Sequence, residues 1–151
     1  NANTGEINKD WIFTYNEGTF VGAAVELHQI MGEKSYLNDA VLAANYTIST
    51  LVNNSILKDE GNGDGGLFKG IFVRYFTELI KQARLEAGTK RRYVQFLRKN
   101  AETLWLEGTA KPSVLFGTDW RKAPAGLTGL TEQLSGCMLI EAMASVDELE
   151  K

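Results

Sequence analysis

Three apolar segments of the chain begin at a polar, glycine-flanked stretch and carry a small residue inside them. Thr14-Tyr15-Asn16-Glu17-Gly18 leads into residues 19–31, Gly63-Asp64-Gly65-Gly66 into 67–80, and Thr131-Glu132-Gln133 into 134–146. Within the first, Phe20, Val21, Ala24, Val25, Leu27, Ile30 and Met31 recur at helical spacing, and Gly32 is placed to stop the helix. Ser35 is placed to cap a second helix, whose stripe is Leu37, Val41, Ala44, Ile48, Leu51 and Val52. After the glycine-rich break at 61–66 the pattern predicts a long apolar helix over about 67–83. An amphipathic helix near 91–106 follows, with Tyr93, Phe96, Leu97, Ala101, Leu104 and Trp105 on one side. A glycine- and proline-containing connection, roughly 107–131, precedes a final helix running to about Leu149.

The first helix of each pair is the more apolar and holds Gly22, Gly70 or Gly136, while its successor is the more amphipathic. A helix apolar nearly all round is buried on both sides and an amphipathic one forms an outer skin. The pattern therefore predicts an all-α fold, a toroid of αα-hairpins with about five main helices, in which polar turns meet at one rim. The glycines are unevenly spaced, so the repeats do not follow the tight period of tetratricopeptide arrays. Five helices make two and a half hairpins, fewer than a closed ring of this kind needs.

At 151 residues and 44% hydrophobic content, the chain fits one domain able to bury a core. A net charge of −3 gives no electrostatic footprint for nucleic acid, and Lys90-Arg91-Arg92 reads as a short solvated run. Apolar stretches are interrupted by Glu26, Lys69, Arg74 or Glu141, so no membrane insertion is expected. A single cysteine, Cys137, reads as a small packed hydrophobe and cannot form an internal disulfide. With one histidine, His28, in the middle of a helix, no common metal-ligand spacing is present, and no metal or cofactor is expected. Asn45-Tyr46-Thr47 and Asn53-Asn54-Ser55 match the short glycosylation acceptor pattern. The chain opens at Asn1 without a methionine or a visible secretory signal, so an upstream portion is expected to be missing.

The chemistry gathers at the helix starts, where unpaired N–H groups and partial positive charge favour polar ligands. Glu17 and Asp64 fall at the starts of two inner helices. Two carboxylates flanking a bond serve glycoside hydrolysis at about 5–5.5 Å for retention or about 6.5–9.5 Å for inversion. They equally suit helix capping. Trp11, Tyr15, Phe68 and Trp120 add aromatic faces, and Asn16, Lys69, Arg74 and Gln133 add donors, a combination suited to sugars. The glycine cluster at 61–66 lacks the lysine and hydroxyl spacing of a phosphate loop. A sharp turn that lets a ligand approach the backbone is the better reading.

Trp11 to Gly22, reading WIFTYNEGTFVG, then Leu27 to Leu37, then Gly63 to Arg74, reading GDGGLFKGIFVR, and the closing Gln133-Leu134-Ser135-Gly136 resemble glycoside hydrolase family 76. These are endo-α-1,6-mannanases and related transglycosylating enzymes. The resemblance implies an (α/α)6 barrel and a retaining mechanism whose nucleophile and acid/base are an adjacent Asp-Asp pair upstream of TYNEG. No adjacent Asp-Asp occurs here. Residues 1–151 are therefore expected to be the C-terminal portion of one such domain, forming part of a glycan cleft without its catalytic acids; Glu17 and Asp64 are the only catalytic alternatives. Tyr15, Asn16, Glu17, Asp64, Phe68 and Lys69 match motif positions and are the implied substrate-binding residues, with Arg74, Trp120 and Gln133 behind them. The implied partners are α-mannan or mannooligosaccharides, together with the missing N-terminal segment or a second copy covering the exposed apolar flanks. The implied location is extracellular, periplasmic or cell-surface. The competing reading is a helical-repeat protein-interaction module in which Glu17 and Asp64 are caps.

Overall fold

The computed structural model describes residues 3–8 and 10–148. Five helices carry the fold among them: α1 (Thr14–Met31), α2 (Lys34–Thr50), α3 (Asp64–Gln82), α4 (Ala87–Leu106) and α5 (Leu130–Asp147). Two short antiparallel hairpins interrupt the helical order, β1 (Val52–Asn53) with β2 (Ile56–Leu57), and β3 (Thr109–Ala110) with β4 (Leu115–Phe116). The fold is all-α in its architecture. Among the described residues no helix is long and apolar enough to cross a membrane.

Helices α1, α3 and α5 stand in a row with α3 in the middle, α2 returns against α1, and α4 lies across α3 and α5. The row is parallel. Gly18 faces the Phe72 backbone and Gly22 the Tyr75 ring, while Gly66 faces Thr131 and Glu132 and Gly70 faces Ser135. Ascending residues of one helix thus meet ascending residues of the next. The buried small residues are what let these axes approach: a Cβ on Gly70 would stand 2.9 Å from Ser135 Cα. The core beneath is built from Phe72, Phe76, Leu79, Tyr93, Leu97, Leu104, Trp120 and Leu139, with the Phe76 ring stacked 5.1 Å from Phe72 and tilted against Tyr93 at 4.8 Å.

Helix starts differ from the sequence expectation. Thr14–Gly18 and Thr131–Gln133, expected as turns, are the first turns of α1 and α5. The start of α1 is held from a distance, because the buried Glu60 carboxylate accepts from Thr14 N–H at 2.9 Å and from Thr14 Oγ1. Helix α2 begins at Lys34, before Ser35, and α4 begins at Ala87 rather than near Arg91. Glu86 supplies that earlier start by accepting from Gly88 N and Thr89 N at 2.8 and 2.9 Å. The expected end of the last helix at Leu149 lies outside the described residues.

Other expectations are corrected as well. Val52 leaves the helical stripe and pairs with Leu57, because Asn54 and Ser55 both take positive φ and turn the chain into a hairpin. The buried Asn100 clasps that hairpin, accepting from Leu57 N at 2.9 Å and donating to Ser55 O at 3.0 Å. Cys137 is exposed rather than packed, with Gln133 Nε2 3.8 Å from its sulfur. His28 lies in the last turn of α1, its Nδ1 2.8 Å from Glu33 O. Nor is α1 buried all round: it packs against α3 and α2, yet Phe20, Leu27, Ile30 and Met31 stay exposed on the side that no further helix covers.

Candidate functional site

The parallel row brings the N-terminal ends of α3 and α5 to one rim, and a cleft of about 870 Å³ opens there. One bank is the loop carrying Asp59, Asn62 and Gly63; the other is the connection from Gly117 to Glu132. Gly61 and Gly63, at φ 85° and 59°, allow the loop its tight path into α3. Asp59 pins it, accepting from Gly61 N–H at 2.9 Å and from Thr118 Oγ1 across the cleft base at 3.0 Å. Asp119 is gripped by Arg121 through two bonds of 2.8 Å, and this guanidinium, above all its hydrogen bonds, holds the Asp119 carboxyl below its ordinary range.

Glu132 lines the cleft while only 5% exposed, in the first turn of α5. Thr131 Oγ1 donates to it at 3.1 Å. Two glycines make room for its carboxylate, since a Cβ on Gly129 would stand 2.2 Å from Oε2 and one on Gly66 2.9 Å from Cδ. Beneath the wall lies Lys69, fully buried, its Nζ donating to Thr118 O at 2.6 Å and lying 5.2 Å from the Trp120 ring centre. Burial pushes its pKa down, opposed by the negative field of Asp59, Glu60, Asp119 and Glu132. Thr128 also lines the cleft, and among the described residues its Oγ1 is buried with no hydrogen-bond partner.

An aromatic cluster sits at the start of α1. The Tyr15 and Phe68 rings are 4.3 Å apart, Phe13 is 5.4 Å from Phe68, and Trp11, 69% exposed, is 6.5 Å from Phe13. Lys58 secures it by donating to Ile12 O at 2.8 Å with its Nζ 5.7 Å from the Phe13 ring centre.

Of the residues singled out in the sequence, Tyr15 and Phe68 are thus brought into contact. Asp64 is exposed at the first position of α3. Asn16 and Glu17 line a separate groove of about 500 Å³ between α1 and α2, with Phe20, Leu42 and Tyr46, where burial raises the Glu17 pKa. Lys69 lies behind the cleft wall. Arg74 is exposed beside Tyr75, and Trp120 is fully buried. Gln133 clasps the second hairpin by accepting from Phe116 N and donating to Val114 O. The sequence does not mark Asp59, Glu60 or Asp119, since each gains its role only from a partner distant in sequence or in a loop without pattern. Glu132 reads in the sequence only as part of a turn.

An all-α protein of paired helices, with a polar cleft at the N-terminal ends of its inner row, is the class that fold and site define. The chain belongs to glycosyl hydrolase family 76, whose family model matches residues 1–149. It is 48% identical to the GH76A alpha-1,6-mannanase of Salegentibacter sp. HEL1_6, with a TM-score of 0.91 over 95% of this chain and 43% of that one. Inactive variants of that mannanase, each with two adjacent aspartates replaced, are in complex with alpha-1,6-mannotriose or alpha-1,6-mannotetrose. The Lin0763 protein of Listeria innocua is similar at 37% identity and a TM-score of 0.89, over 99% of this chain and 42% of that one. The chain therefore spans less than half the length of these solved relatives. No curated protein matches it.

Proposed function

We propose that this chain forms part of the glycan cleft of an α-1,6-mannanase-like enzyme that, as a full-length protein, hydrolyses α-mannan with retention. The observation that carries this reading is the 48% identity to a mannanase whose inactive variants hold α-1,6-mannooligosaccharides. The site chemistry supports it. The cleft lining carries carboxylates at Asp59 and Glu132, and the nearby Trp11, Tyr15 and Phe68 rings offer faces for sugar C–H groups. Asn16, Glu17 and Asp64 remain substrate-binding proposals from the motif, whereas Lys69, fully buried, serves the cleft from behind its wall. No two aspartates adjoin in these 151 residues. We assign the catalytic pair to chain outside them and expect these residues alone to bind without cleaving. A polymeric α-mannan substrate would place the enzyme outside the cell, in a periplasm or on the cell surface.

Calorimetric titration of the full-length protein with α-1,6-mannotetraose tests the reading. Binding is expected, weakened about tenfold by Tyr15→Ala. Absence of binding by the intact protein would overturn it. The exposed apolar flank of α1 and α2 favours a second reading, a helical interaction module, which predicts a protein ligand and no glycan binding.

A further inference from the structure

A fully buried ammonium is an expensive choice for a core position, where an apolar side chain of the same length would pack without desolvation cost. Lys69 has no carboxylate within ion-pairing distance among the described residues. Its Nζ instead donates to a backbone oxygen, Thr118 O, at 2.6 Å, while Asp59, Glu60, Asp119 and Glu132 balance its charge from further away. Thr118 is itself a link, since its hydroxyl donates to Asp59 Oδ2 at 3.0 Å and Asp59 Oδ1 accepts from Gly61 N–H. A continuous relay thus runs from the core of α3 through one bank of the cleft to the other.

We propose that Lys69 is a positioning residue for the glycan cleft: through Thr118 and Asp59 it fixes the separation of the two banks and so the grip on sugar. It never touches substrate. Its long stem leaves the third position beyond the turn that Gly66 opens, passes Trp120 and delivers the donor to the underside of the wall. A charged donor is suited to this task because the carboxylates lining the cleft surround it with negative potential. The proposal rests on the glycan reading of the same cleft.

The test is a double-mutant cycle in the full-length enzyme, with Lys69→Met and Thr118→Val, read as kcat and KM on α-1,6-mannotetraose. Each single variant is expected to raise KM about tenfold with kcat changed less than about threefold, and the double variant to do no more than either. Lys69→Gln, which keeps a donor, is expected to recover most of the loss. Additive effects of the two substitutions would overturn the proposal, as would a Thr118→Val protein with unchanged KM. The second result stands even if Lys69→Met does not fold. Should the wild-type enzyme ignore mannooligosaccharides, the glycan reading falls, but hydrogen exchange still tests the relay. Thr118→Val is then expected to deprotect the Gly61 amide, and unchanged protection would overturn the relay itself.

Discussion

Gly18 faces the backbone of α3, and a Cβ there would stand 2.6 Å from Phe72 Cα. Two effects compete on replacing it with alanine. Helix propensity favours alanine by about 1 kcal/mol, whereas overpacking costs about 1–3 kcal/mol, and here the obstacle is main chain that cannot rotate aside. The clash is expected to win. Gly18→Ala should lower the unfolding free energy by about 1–2 kcal/mol in a urea titration, while Gly126→Ala, with nothing within 4 Å, should change it by less than about 0.5 kcal/mol. A Gly18→Ala protein as stable as wild type would refute the close approach of α1 and α3. At this scale the sequence was partly legible: glycine inside an apolar helix signalled contact, but not which neighbour it meets. Tyr15 and Phe68 were legible as candidates because both lie in motifs. Asp59 and Asp119 were not, because their geometry depends on Thr118 and Arg121 in a connection without periodicity.

Helices α1 to α5 follow from apolar spacing, yet their first turns do not. The cap of α1 comes from Glu60, far along the chain, and that of α4 from Glu86, a residue type outside the usual capping set. Backbone N–H groups from Gly88 and Thr89 hold the Glu86 carboxylate below its ordinary 4.5. Its stabilising effect is therefore complete above the unfolded-state value and vanishes as pH falls through the folded one. Glu86→Ala is expected to melt below wild type at neutral pH, with the gap closing in acid. A gap independent of pH would show that the carboxylate is not the cap. The two hairpins leave no mark in the sequence pattern, because strands of two residues are too short to show alternation.

Across the whole molecule, the row of inner helices ends at α1 with an apolar face uncovered: Phe20 is 52% exposed, Ile30 78% and Leu42 70%. Such a face favours association. Produced alone, these 151 residues are expected to elute and scatter light above the 16.7 kDa of one chain, and Phe20→Glu with Leu42→Glu to restore the monomer. A monodisperse monomer without those changes would defeat this expectation. Periodicity alone determined the helices, their alternation of apolar and amphipathic type and the all-α class, because each is a property of side chains a few residues apart. Motif resemblance added the family. Tertiary structure alone decided which glycine meets which helix, where Glu60 and Lys69 direct their charges, and that Glu17 and Glu132 line different hollows. Those outcomes depend on contacts between segments distant in the chain, and local spacing carries no record of which segments pack together.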